Sequence, residues 1–216
     1  MSSSQQPVPA TRTVILATVG MPCSGKSIVA RIAEELFSFR IHSFRRVVEE
    51  KLEEEGFGIA DPLDMTRGAT VLRERFGPDV FARRMVEKIR TASSLSSLER
   101  RVFIEGLRTP DEINCLRKAF PDIIIIGVIA SQSTRVRRAV KRNRWDDPKF
   151  EDEILRKDAQ EAAWGVGEAL KIADVTLEND GNSIDELKGK VAKLIEGLLW
   201  MQKERNTPPP LSSSEA

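Results

Sequence analysis

The sequence predicts an α/β fold, a doubly wound parallel sheet with helices on both faces. Three observations lead there. Strand-like and helix-like segments alternate along the chain. The run "DIIIIGVIA" (122–130) is apolar and β-branched without alternation, as expected of a strand buried on both faces. The first apolar run passes through a glycine-rich turn straight into an amphipathic helix, the opening of a βαβ unit.

Taken in order, "TRTVILATVG" (11–20) is the first strand. "KSIVARIAEELF" (26–37) is a helix with Ile28, Ile32 and Leu36 on one face. "RIHS" (40–43) is a short second strand, and "FRRVVEEKLEEEG" (44–56) a helix stopped by Gly56. Two helices follow, "LDMTRGATVLRERF" (63–76) and "DVFARRMVEKIRTA" (79–92), the second opened by Pro78 and Asp79. "RRVFIEG" (100–106) is the third strand and "PDEINCLRKAF" (110–120) the helix after it. Beyond the fourth strand come a basic helical stretch and a polar helix over about 150–163. "ADVTLEN" (173–179) is the fifth strand. The closing helix, "SIDELKGKVAKLIEGLLW" (183–200), starts with Ser183 as N-cap and Glu186 three residues on, a capping-box pattern.

Bulk properties exclude some function classes. The 216 residues suit one domain; 40% hydrophobic and 31% charged content is a globular balance. A net charge of +1 gives no global field for nucleic acid or anionic membranes, so any anion site must be local. Two cysteines make no disulfide framework, and the longest apolar run, 123–130, falls well short of the ~18 residues of a membrane span. The opening "MSSSQQPVPA" lacks the pattern of a secretory signal, so a cytoplasmic protein is expected. The Ser/Pro-rich ends, 1–11 and 205–216, read as disordered tails around one domain at 12–204.

The sharpest chemical signal is "GMPCSGKS": Gly20, Met21, Pro22, Cys23, Ser24, Gly25, Lys26 and Ser27. It carries the whole phosphate-loop pattern, between a strand and a helix as that motif requires. Backbone N–H groups would surround the phosphates of ATP or another NTP, Lys26 would reach the β- and γ-oxygens, and the Ser27 hydroxyl would ligate Mg²⁺. Glu105, at the end of the third strand, suits a ligand of the metal shell or an orienting group for a nucleophile; the alternative is an exposed strand-end carboxylate. Arg108 could clamp an acceptor phosphate. Cys23 reads as a loop filler before a redox group, Cys115 as packing, and His42 as an edge histidine with no triad partners.

"STRVRRAVKRNRWDD" (133–147) holds six basic residues and no acid from Arg135 to Arg144. Arg138 and Arg142 share a helical face at i, i+4, with Arg144 just beyond. Three readings stay open: a lid whose arginines screen charge on a transferring phosphoryl group, a solvated helix face, or a nucleic-acid track. Nucleic acid is the least favoured, since Trp145 alone offers stacking.

In this order, the phosphate loop, "FIEGLR" (103–108) and "RAVKRNRWDD" (138–147) resemble nucleoside-monophosphate kinases. "RFGPDVFARRMVEKI" (75–89), "AAWGVGEALKIAD" (162–174) and "LENDG" (177–181) more specifically resemble an archaeal family of uncharacterised P-loop proteins. Its members are described as NTP hydrolases or relatives of adenylate, cytidylate and dephospho-CoA kinases; the likeness spans about 13–195. It implies a five-stranded sheet of order 2-3-1-4-5, acceptor-binding helices at about 44–92 and a lid at about 131–148. The lid arginines would be Arg138, Arg142 and Arg144, with Arg156 or Lys157 as later candidates. Arg73 and Arg108 match arginines that hold the acceptor's phosphate, and the loop from Glu178 to Gly181 would lie near the adenine.

This chain departs from the family pattern at three places. Arg45 and Arg46 replace a Gly-Asp pair, Glu105 replaces Asp, and Gln160 stands where an arginine is usual. Arg46 then joins the acceptor-binding candidates, and two outcomes are open. Arg45 and Arg46 either call for a strongly anionic acceptor, or pair with Glu49 and Glu50 one turn on. The expected partners are a nucleotide and an unidentified anionic acceptor, with no membrane; the reaction is γ-phosphate transfer, with NTP hydrolysis or a nucleotide-dependent binding module as alternatives. The sequence leaves oligomeric state open.

Overall fold

The computed structural model describes residues 13–60, 62–95, 101–142, 151–181 and 183–205. Among them the elements run β1 (Val14–Val19), α1 (Lys26–Phe37), β2 (Arg40–Ser43), α2 (Phe44–Glu54), α3 (Pro62–Phe76), α4 (Val80–Leu95), β3 (Arg101–Leu107), α5 (Pro110–Ala119), β4 (Ile124–Ile129), α6 (Gln132–Arg142), α7 (Glu151–Ala163), α8 (Val166–Lys171), β5 (Val175–Glu178) and α9 (Ile184–Arg205). The strands form one five-stranded sheet of order β2-β3-β1-β4-β5, with every neighbouring pair parallel. The order inferred from the family resemblance is the order observed.

Alternation within each strand divides the core between the two faces of the sheet. Ile15, Ala17 and Val19 of β1, Val102 and Ile104 of β3 and Ile125 of β4 pack with residues of α2, α3, α4, α5 and α8. Leu16, Phe103, Ile126, Val128 and Leu177 point the other way, into a second cluster closed by α1 and α9. Both faces being covered explains why the central strands read as unbroken apolar runs. Parallel strands also place their C-terminal ends together, so the ends of β1, β3, β4 and β5 share one rim, where a site belongs in this architecture. At that rim the register slips: Thr18 faces Glu105 but Val19 faces Leu107, leaving Gly106 as the extra residue of a bulge beside Glu105.

Local chemistry accounts for the helix starts. Ser183 and Glu186 exchange both capping-box bonds, as the sequence predicts. A second capping box, Thr109 with Glu112, opens α5 below Pro110. The structure adds α8, which the sequence reading passed over: six residues opening at Gly165, too short for a helical period to register, anchored by buried Val166 and Ala169. Residues 1–11 and 206–216 of the expected tails and 143–148 of the expected lid lie outside the described residues, while Arg205 ends α9. Among the described residues, no helix is long and apolar enough to cross a membrane.

Phe39 joins the end of α1 to β2; it is 1% exposed and meets Phe103 edge-to-face at 6.1 Å. Phe39→Ala is expected to lower unfolding free energy by about 3–5 kcal/mol, measured by urea titration, because a buried ring leaves a cavity the sheet cannot collapse into.

Candidate functional site

The glycine-rich loop lies at the C-terminal end of β1, and α1 begins at Lys26. Its two motif glycines are needed for space. A Cβ on Gly20 would stand 2.3 Å from the Val128 carbonyl oxygen, and one on Gly25, at φ 111°, would stand 2.3 Å from the Asn179 amide nitrogen. Gly25 is the N-cap of α1 and offers no side-chain cap, so the first turn presents N–H groups and the positive end of the helix dipole.

Lys26 Nζ donates to the carbonyls of Gly20 at 2.7 Å and Met21 at 2.9 Å. Burial pushes its pKa down to about 8; the carboxylates of Glu161 and Glu105 oppose that fall and the Arg108 guanidinium adds to it. Ser27 Oγ donates to Glu105 Oε1 at 2.5 Å across the rim between α1 and β3. A hydroxyl beside a carboxylate is a hard oxygen pair that fits Mg²⁺. Among the described residues no cluster of three or more acidic, His or Cys side chains could hold a metal alone. The remaining ligands would therefore be phosphate oxygens and water, the usual way Mg²⁺ is held.

The acceptor-side candidates fall into two groups. Arg73 and Arg108 are brought together by Glu112, which is fully buried. One Glu112 oxygen accepts from Arg73 Nη2 at 2.9 Å; the other accepts from the backbone N–H groups of Arg108 and Thr109. The Arg73 guanidinium lies between the rings of Phe81 and Trp164, 4.9 Å from each centroid, and its Nε and Nη1 are buried without a hydrogen-bond partner. Arg108 Nε donates to both carboxylate oxygens of Glu161, at 2.9 and 3.0 Å, and that carboxylate holds the guanidinium protonated more firmly still. Arg45 and Arg46 form a second group. They donate to Glu49 and Glu50, the second of the two outcomes the sequence left open, and the Arg46 side chain is 78% exposed. Lys88 also binds Glu50 and chiefly keeps its carboxyl below the usual range.

The basic helix α6 lies against the loop. Arg138, expected among the lid cations, donates through Nη1 to the carbonyls of Cys23 (3.4 Å) and Ser24 (3.2 Å), and through Nη2 to the backbone and side-chain oxygens of Asn179 (2.7 and 3.2 Å). Arg135 makes a two-bond ion pair with Asp158 of α7 at 2.6 and 2.7 Å, and its Nη1 also reaches the Pro22 carbonyl at 3.4 Å. The Asn179 amide donates to the Ser24 carbonyl at 2.8 Å, so the loop after β5 abuts the phosphate loop. Asp180 accepts from the backbone N–H and hydroxyl of Ser131, which hold its carboxyl below the usual range. Arg137, Val140 and Lys141 are exposed, so one face of α6 is solvated. The Arg142 side chain and all of Arg144 lie outside the described residues. Arg156 is exposed on α7 and Lys157 half-buried.

Four residues of this site escaped the sequence reading: Arg135, Asp158, Glu161 and Glu112. Arg135 was in view within the basic run and, three residues before Arg138, shares its helical face, but only the i, i+4 pair was singled out. Asp158 and Glu161 carried a usable signal, two acids one helical turn apart on one face of a polar helix.

No protein-family model matches the chain. A UPF0200 protein of Methanothermobacter thermautotrophicus is 35% identical over 170 residues, which cover 78% of this chain and 82% of the relative. Among solved structures, the unliganded sugar kinase of Janibacter sp. HTCC2649 superposes with a TM-score of 0.56 at 14% identity, covering 85% of this chain and 95% of that one. Shikimate kinase from Acinetobacter baumannii, in complex with shikimate, gives 0.52 at 16% identity over 88% and 98%. The fold is that of P-loop kinases.

The lowered pKa of Lys26 has a sign that can be checked without ligand. Below about pH 8 the ammonium is charged in both folded and unfolded chains, and the cost of burying it is fully present. Between about 8 and the ordinary value of 10.5 the unfolded chain binds the proton and the folded one does not, so this group's contribution to stability rises with pH. Subtracting the pH–stability curve of Lys26→Met from that of the unaltered chain should leave a rise of at most about 1.4 kcal/mol per pH unit in this window. A flat difference would refute the burial of Lys26.

Proposed function

This chain belongs to the UPF0200 protein family, and from that premise we propose that it is a Mg²⁺- and ATP-dependent phosphotransferase, moving the γ-phosphoryl group to an anionic acceptor. The observation that carries the proposal is the Ser27–Glu105 hydrogen bond beside Lys26, at the uncapped start of α1 in a kinase fold. The N–H groups of the loop and of the first turn of α1 bind the phosphates, with Lys26 neutralising their outer oxygens. Ser27 and Glu105 hold the metal shell; bound Mg²⁺ would supply neutralisation of the charge developing on the transferred group. Arg108 and Arg73 orient the acceptor's anionic group. Arg142 and Arg144 are the candidates for screening the phosphoryl oxygens, and a lid carrying them would exclude water from the site.

A second reading, NTP hydrolysis with no small acceptor, has one observation in its favour. Both acceptor-side arginines are already paired with buried carboxylates, Arg73 with Glu112 and Arg108 with Glu161. Glu161 already takes the Nε edge of Arg108 and offsets its charge, so an anionic acceptor must compete with that carboxylate for the guanidinium. The motive for a specially charged acceptor at Arg45 and Arg46 is also weaker, since Arg45 pairs with Glu49 and Arg46 shares Glu50 with Lys88.

The deciding measurement is ADP release by the full chain with Mg²⁺ and ATP, with and without a panel of phosphorylated acceptors beginning with nucleoside monophosphates. Transfer predicts release that rises at least about tenfold with one acceptor, and a Lys26→Ala variant slower by about 10²-fold or more. Glu161→Gln is expected to lower the acceptor KM several-fold by freeing Arg108. Release independent of every acceptor supports the hydrolase instead, and no release from the folded chain refutes both.

A further inference from the structure

A phosphate loop binds anions through its N–H groups, so its carbonyls must turn elsewhere. From Gly20 to Gly25 all six have hydrogen-bond donors. Lys26 takes those of Gly20 and Met21, Ser24 N–H also serves Met21, and the first amides of α1 serve Gly25. The middle three are served by side chains from outside the loop: Arg135 on Pro22, Arg138 on Cys23 and Ser24, and Asn179 on Ser24. A trans peptide is planar, with its C=O and N–H pointing in opposite directions. A donor that fixes the Pro22 carbonyl therefore aims the Cys23 N–H the other way, and one that fixes Ser24 aims the Gly25 N–H.

Two further facts mark these contacts as built. Cys23 stands at φ 60°, a left-handed conformation unfavourable for a residue with a Cβ, and the carbonyls on both sides of its α-carbon are held by α6 arginines. Asn179 is 1% exposed and approaches Gly25 so closely that no side chain fits there. Arg135 is itself fixed from behind by Asp158.

We propose that Arg135, Arg138 and Asn179 form a clamp on the outer side of the phosphate loop and act as positioning residues for phosphate binding, setting the directions of the loop N–H groups. The inference rests on the reading of this loop as a phosphate site. Because two jaws of the clamp are on α6 and the third follows β5, the loop is shaped for phosphate only while α6 is docked.

The test is calorimetric binding of Mg²⁺·ATP and of Mg²⁺·tripolyphosphate to the full chain and to Asn179→Asp and Asn179→Ala. Both variants should weaken both ligands by about tenfold or more, as the loss of a buried hydrogen bond that orders a binding group implies. The two ligands should weaken by the same factor, since the change lies at the phosphates. Ile195→Ala, on the core-facing side of α9, is the comparator: it should lower the Tm and leave both affinities unchanged. The paired replacement Arg135→Met with Asp158→Leu exchanges a buried ion pair for apolar contact, keeping the fold while removing the donor on Pro22, and should weaken binding likewise. Unchanged affinity for both ligands in a folded Asn179 variant or in the folded Arg135/Asp158 double variant overturns the clamp and leaves the phosphate-loop reading standing. If the unaltered chain binds neither ligand, that reading fails and the clamp with it.

Discussion

A loop that offers N–H groups to an anion must find donors for its carbonyls on its other side, and the surroundings of Gly20 to Gly25 follow from that constraint. A carbonyl left buried without a donor costs about 1–3 kcal/mol, and six of them stand within one short turn. Lys26 folds back on the first two, α1 takes the last, and the three between draw in α6 and the loop after β5. The parallel sheet makes this possible, because strands that run the same way deliver all these segments to one rim.

Charge at the rim is balanced by a second set of contacts. Lys26, Arg73 and Arg108 are the cations; Glu105, Glu112 and Glu161 are the acids interleaved with them. Glu112 carries the strongest constraint of the three, since it is fully buried and binds the Arg73 guanidinium and two backbone N–H groups together. A carboxylate in that position is stable only with those partners present. It ties α3 to the start of α5 and so sets the spacing of the two arginines from one another. Glu161 differs in kind, because its partner Arg108 is 26% exposed.

The sheet and most helices were legible in the chain because their cause is local: an apolar period, a cap, a glycine at a turn. Ser27 and Lys26 were legible because a motif fixes their order along the sequence. Arg46 shows where that kind of reasoning stops. The sequence left it either an anionic acceptor or a glutamate one turn away, and it is the folded structure that shows the bond to Glu50. Glu161 and Asp158 were harder for the same reason: their partners, Arg108 and Arg135, lie 53 and 23 residues away in the chain. Two acids one turn apart mark a face of α7, but nothing in the spacing says which arginines that face meets. The short α8 was missed for want of length, its two buried residues being too few to define a period.

Trp164 occupies the corner between α7 and α8, with the Arg73 guanidinium stacked on its ring. An indole against a cation in a half-buried corner has a different excited-state environment from one in water, such as that of Trp200, which is 63% exposed. Trp164 is also one helical turn beyond Glu161, so any rotation of α7 that separates Glu161 from Arg108 shifts the indole relative to Arg73. The protein thus contains an intrinsic fluorophore at the joint between α7 and α3, able to report their relative movement in light emission without a label.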